Sequence, residues 1–240
     1  MAGDRTGARV FAEFLGTAIL VATVVGSGIM GTDLSKDAAV ALIANALATV
    51  AVLGTLIWLL GPVSGAHFNP VVSGVAVARG EMPIGTAVTY MVAQVLGAIL
   101  GSITANLMFG LAVATASTHV RDGAGLWLGE VVATAGLLLV IGALGRTGRG
   151  AAGPIVVPAW ICAAYFFTSS TSFANPAVTI GRSVTDTFAG IAPESVVGFV
   201  VAQIIGAAIG VALANALFPR ENGPNPPTAR MPAQRDAHTD

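Results

Sequence analysis

Two Asn-Pro dipeptides, Asn69-Pro70 within SGAHFNPVVSG and Asn175-Pro176 within TSFANPAVTIGRS, stand in apolar surroundings between segments long enough to cross a bilayer. Proline has no amide hydrogen and is well tolerated only in the first turn of a helix, so each dipeptide marks a helix start capped by its asparagine. The run from each asparagine to the next break is about ten residues, roughly 15 Å at about 1.5 Å per residue, half of a hydrocarbon core of about 30 Å. The spacing therefore predicts two half-helices. A helix that begins at mid-membrane leaves its first amides and the asparagine side chain without partners. That is tolerable only where protein or a water-filled cavity satisfies them.

The rest of the chain has to supply those surroundings. Of its 240 residues 55% are hydrophobic and 10% charged, against roughly 25% charge in a soluble domain, so most of it belongs in lipid. Six full spans are expected near residues 10–30, 38–60, 85–109, 125–145, 154–171 and 195–218. The first apolar run lacks a small-residue cleavage site and is long enough to remain as a span. Residues 219–240 hold five of the twelve prolines and are expected to form a disordered tail. A net charge of −1 gives no reason to expect nucleic acid as a partner. The single cysteine, Cys162, excludes an internal disulfide and a cysteine-rich metal site. No cofactor is expected, and an enzyme is disfavoured, because no nucleophile stands with a base and no glycine loop is built for phosphate.

Basic residues set the expected orientation. With both termini inside, the cytoplasmic segments hold Arg5, Arg9, Arg79, Arg146, Arg149, Arg220, Arg230 and Arg235, and the outer loops hold Lys36, Arg121 and Arg182, eight against three.

The two halves repeat. YMVAQVLGAILGSITANLMF and FVVAQIIGAAIGVALANALF match Gln94 to Gln203, Gly97 to Gly206, Gly101 to Gly210 and Asn106 to Asn215 at a constant offset of 109. Glu13 matches Glu130, and Asn69 matches Asn175. Each half has three full spans, an odd number, so the second copy is inverted, an arrangement that brings discontinuous helices together at the midplane. The expected fold is an all-α membrane protein of six transmembrane helices plus two re-entrant half-helices. Its organisation runs from a cytoplasmic N-terminus (1–9) through a first repeat (10–110), an extracellular connection (111–124) and a second repeat (125–218) to the cytoplasmic tail. The Gly-xxx-Gly pairs read as helix packing rather than chemistry.

The two Asn-Pro boxes, with AEFLGT at Ala12 to Thr17 and GEVVATAGL at Gly129 to Leu137, resemble the aquaporin (major intrinsic protein) family. The resemblance implies a homotetramer with a pore in each subunit. The first box has Val71 in place of the family's alanine, which bears on packing more than on pore chemistry; the second, Asn175-Pro176-Ala177, conforms. In most of the family an arginine follows the second box, and here that place is Val178. The family's spacing puts the other three constriction positions on Ser172, Ala163 and Thr49, all small, which implies a ring wider and less cationic than a water-selective one. The valine also resembles the branch found in bacterial arsenic-resistance operons. On that resemblance the solutes are arsenous acid, glycerol and water, and the location is the bacterial inner membrane, with lipid as surroundings.

Glu13 and Glu130, carboxylates within spans, are functional candidates by default; the resemblance implies that each accepts hydrogen bonds from the loop before its half-helix. Snorkelling to the headgroups is the alternative for Glu13. His67 reads as a pH-sensitive gate or as a hydrogen-bonding member of the inner loop. Arg182, one turn beyond Val178, either restores a positive outer mouth or caps the half-helix near Asp186. Cys162 beside Ala163 is an arsenical contact or a small buried hydrophobe. Besides the passive channel, an ion pathway opened by the missing arginine and a structural protein with a closed pore remain open readings.

Overall fold

A computed structural model describes residues 6–219. Six of its helices are long and apolar enough to cross a membrane: α1 (Thr6–Leu34), α2 (Ala38–Ser64), α4 (Ile84–Met108), α5 (Ala124–Arg146), α6 (Gly153–Phe167, entered through a 3-10 turn at Gly150–Ala152) and α8 (Pro193–Leu217). Two short helices, α3 (Pro70–Ala78) and α7 (Pro176–Arg182), follow the asparagines. At 9 and 7 residues they are shorter than the expected ten, because each ends as soon as its apolar run meets a basic residue and a turn. The N-terminal residues before Thr6 and the expected tail beyond residue 219 lie outside the described residues.

Small residues decide how the long helices pair. Gly97 and Gly101 of α4 lie directly on the α1 backbone, where a Cβ would meet Phe14 and Ala18 carbonyls, and Gly206 and Gly210 of α8 lie in the same way on Val131 and Ala135 of α5. The pairs expected to serve packing do so, and each repeat closes its first and third spans on each other. The outer surface carries large apolar side chains such as Trp58, Ile155 and Val197, at 71%, 74% and 69% exposure, as a lipid-facing wall requires.

The repeats interlock through the short helices. α7 packs on α4 of the first repeat, with Ser102 Oγ donating to the Gly181 carbonyl at 2.7 Å, and α3 contacts α8 of the second. α6 ends at Phe167, four residues before the expected boundary at 171, as the Thr168 hydroxyl takes the Ala164 carbonyl at 2.7 Å and the chain turns into a coil.

Candidate functional site

The coils before the two half-helices are built alike. Asn69 and Asn175 have extended backbones, and each side-chain oxygen caps its own helix, accepting from Val71 N at 3.1 Å and from Ala177 N at 3.0 Å. Each amide nitrogen reaches across to the other coil: Asn69 Nδ2 donates to the Ala174 carbonyl at 2.8 Å and Asn175 Nδ2 to the Phe68 carbonyl at 2.7 Å. An amide has two hydrogens, so one on each asparagine has no acceptor among the described residues.

Holding these coils costs backbone strain. Ala66, Phe68, Thr171, Ser172 and Ala174 all have φ between 48° and 61°, a left-handed conformation costing about 1 kcal/mol or more for a residue with a Cβ. The buried glutamates offset it. Glu13 accepts from Ser64 Oγ at 2.6 Å, His67 N at 3.0 Å, Phe68 N at 2.6 Å and Gln94 Nε2 at 2.8 Å. Glu130 accepts from Phe173 N and Ala174 N, both at 2.8 Å, and from Gln203 Nε2 at 2.6 Å. Both glutamates are fully buried, so Glu13 does not snorkel. Drawing the amides toward the glutamates leaves the carbonyls of Gly65, Ala66, His67, Ser172 and Phe173 without a donor among the described residues.

One cavity of about 330 Å³ runs past this meeting point. Arg79 and Glu81, near the end of α3, line one mouth; Asn69, Asn175 and their coils line the middle; Thr49, Ser172, Val178 and Arg182 line the part toward the end of α7. Leu20, Leu137, Leu138 and Ile141 give it apolar walls. The arrangement is a narrow passage with a few polar groups on an apolar background, suited to moving a small molecule and lacking any paired acid and base at a reacting centre.

The family model described as major intrinsic protein matches residues 5–173. The chain belongs to the major intrinsic protein family. It is 51% identical over 205 residues to aquaglyceroporin AqpS of Rhizobium meliloti (strain 1021), covering 85% of this chain and 88% of that one. It is also 32% identical over 188 residues to the probable aquaporin TIP2-2 of Oryza sativa subsp. japonica, covering 72% and 73%. Its fold matches the X-ray structure of the aquaglyceroporin from Plasmodium falciparum with a TM-score of 0.66 at 21% identity, over 88% of this chain and 94% of that one. Members of the family are multi-pass membrane channels and not enzymes.

In this major intrinsic protein the expected constriction residues do not all meet. Thr49, Ser172 and Val178 line the cavity, but Ala163 is exposed on the outside of α6. Ile161 and Tyr165, each two residues away, face inward instead. Two residues are about 200° on a helix, enough to exchange one face for the other. Tyr165 brings its hydroxyl to Thr49 Oγ1 at 3.3 Å, and the sequence reading missed it. Cys162 is half-buried and does not line the cavity.

Arg182 lies well inside, at 4% exposure. Its Nε donates to the Ala189 carbonyl and its guanidinium lies 3.4 Å from the centre of the Phe173 ring. It does not reach Asp186, which instead accepts from Thr118 N at 2.8 Å and Thr118 Oγ1 at 3.0 Å. His67 lines the cavity with Nδ1 at 3.0 Å from Ser73 Oγ and its ring edge-on to Tyr90. Gln94 and Gln203 were visible as a repeat match, yet the sequence reading gave them no role. Each donates both to its glutamate and to Ser73 or Thr179, at 3.1 and 2.9 Å, joining glutamate, coil and half-helix.

Proposed function

We propose that this chain is a passive channel for small uncharged hydroxylated solutes: water, glycerol-type polyols and arsenous acid. The observation that carries the reading is one cavity running past both asparagines with Val178 on its wall at the place where most of the family has an arginine. A solute hydroxyl stripped of water without a new partner costs roughly 2 to 7 kcal/mol. The free amide hydrogen on each asparagine and the unpaired coil carbonyls are the replacement partners, set against apolar walls that hold water weakly.

Each half-helix N-terminus carries a partial positive charge of about +0.5, and two of them converge on the asparagines. Exclusion of protons and cations by such dipoles is an established property of aquaporin-type pores. The name aquaglyceroporin carried by the 51% identical relative favours polyols beside water. Arsenous acid, a small neutral trihydroxide, has the same hydrogen-bonding character as glycerol. The family resemblance implies a homotetramer in a bacterial inner membrane, and the distribution of basic residues puts both termini on the cytoplasmic side.

The test is stopped-flow light scattering on proteoliposomes in gradients of water, glycerol and arsenous acid. All three fluxes should exceed those of empty vesicles. Vesicles that swell no faster than protein-free ones in any gradient refute the channel; water flux alone refutes the wide pore.

A further inference from the structure

We propose that Arg182 carries the positive barrier of this pore from the mouth at the end of α7, so that the ring beside Val178 stays wide while cations are still turned back. The proposal rests on the channel reading above. Arg182 follows Val178 by four residues and shares its helix face, about 6 Å further along the axis. A charge there leaves the Val178 position itself to a small aliphatic side chain.

The side chain is held in place. Its Nε is fixed by the Ala189 carbonyl, and its plane lies against Phe173, whose ring is braced edge-on by Phe199 at 5.1 Å between centres. The backbone of Phe173 is pinned in turn by Glu130. The terminal guanidinium nitrogens have no acceptor among the described residues and are not sealed off, and Arg182 lines the cavity, so they are open to it. Arg121 differs. Its guanidinium lies 5.2 Å from the Phe173 ring centre, but it donates to Gly190 O at 2.8 Å and Phe188 O at 3.4 Å and does not line the cavity.

A fixed guanidinium bounded by apolar wall repels a cation far more strongly than the same charge in open water. A neutral hydroxyl meets free N–H donors at the same point. One group therefore sorts by charge without sorting by width.

The experiment compares vesicles bearing the wild type, Arg182→Gln, and Cys162→Ser with Arg182→Cys, reading glycerol by light scattering and sodium and proton entry with trapped dyes. The wild type should carry glycerol and stay tight to both ions. Arg182→Gln should still carry glycerol while ion entry rises about tenfold or more. In the cysteine variant, an aminoethyl methanethiosulfonate should close the leak and the sulfonatoethyl reagent should not, which reads charge on one folded population and decides the matter if the glutamine variant fails to insert. Tight, glycerol-conducting Arg182→Gln vesicles overturn the proposal, as does a leak on which both reagents act alike. Wild-type vesicles without glycerol flux overturn the channel reading itself.

Discussion

Asn69 and Asn175 each donate a hydrogen bond to the carbonyl of the residue just before the other, at 2.8 Å to Ala174 and 2.7 Å to Phe68. The two coils are thus tied to each other by the side chains that cap their helices, and cap and cross-link are lost together when either asparagine is removed.

Asn175→Ala should lose a helix cap, about 1 kcal/mol, and leave the Phe68 carbonyl unpaired, about 1 to 3 kcal/mol more. Unfolding in mixed detergent micelles should register about 2 to 4 kcal/mol, and water flux should fall with it. A variant as stable as the wild type would mean the cross-coil bonds carry little weight.

The glutamates should carry similar weight. Replacing either carboxylate by an amide turns one acceptor into a donor facing other donors, at about 1 to 3 kcal/mol. Glu13 meets four donors, and Glu130 also meets four, the Ser170 hydroxyl joining Phe173 N, Ala174 N and Gln203 Nε2, so Glu13→Gln and Glu130→Gln should be destabilised alike in the same assay. A marked difference between the two would mean that the coils do not depend equally on their carboxylates.

Val178→Arg should suppress glycerol and arsenous acid flux more than water flux in vesicles, since it narrows the ring without touching the asparagines. Equal loss of all three would point to misfolding.

Tyr165 and Ala163 separate the pore wall from the outside of α6. Tyr165→Ala should raise glycerol relative to water flux several-fold, whereas Ala163→Phe should leave both unchanged. The reverse result would restore Ala163 to the constriction.

Acid should loosen the contact between Thr118 and Asp186. Hydrogen bonds from Thr118 hold the Asp186 carboxyl below its ordinary value, so their contribution is complete above the usual aspartate range near about 4 and is lost as pH falls through the lowered value. Protection of the Thr118 amide, its exchange taken relative to the intrinsic rate at each pH, should therefore fall on acidification in the wild type and be low throughout in Asp186→Ala. A wild type whose protection does not change with pH would refute the anchor.

Elements whose signal is local and chemical were legible in the sequence. Asn69-Pro70 and Asn175-Pro176 announce a cap and a first turn, the apolar runs announce spans, and the glycine pairs land on the helix contacts they suggest. The constriction was read less well, because Ala163 came from counting residues across a coil whose left-handed positions are Thr171, Ser172 and Ala174 rather than glycines. Nothing local marks where α6 stops, and a two-residue error inverts a helix face. The place of Arg182 was half legible: its spacing from Val178 put it on the right face, but its attachment to Ala189 and Phe173 depends on a loop fold that no motif encodes.

The exchange of carbonyls between the coils has a consequence for how the protein is made. When the first three spans have left the ribosome, the Phe68 carbonyl and the Asn69 amide await partners that are still untranslated. The earlier half must therefore wait in an immature form, and two separately expressed halves should each be short-lived alone and rescue one another when made in the same cell.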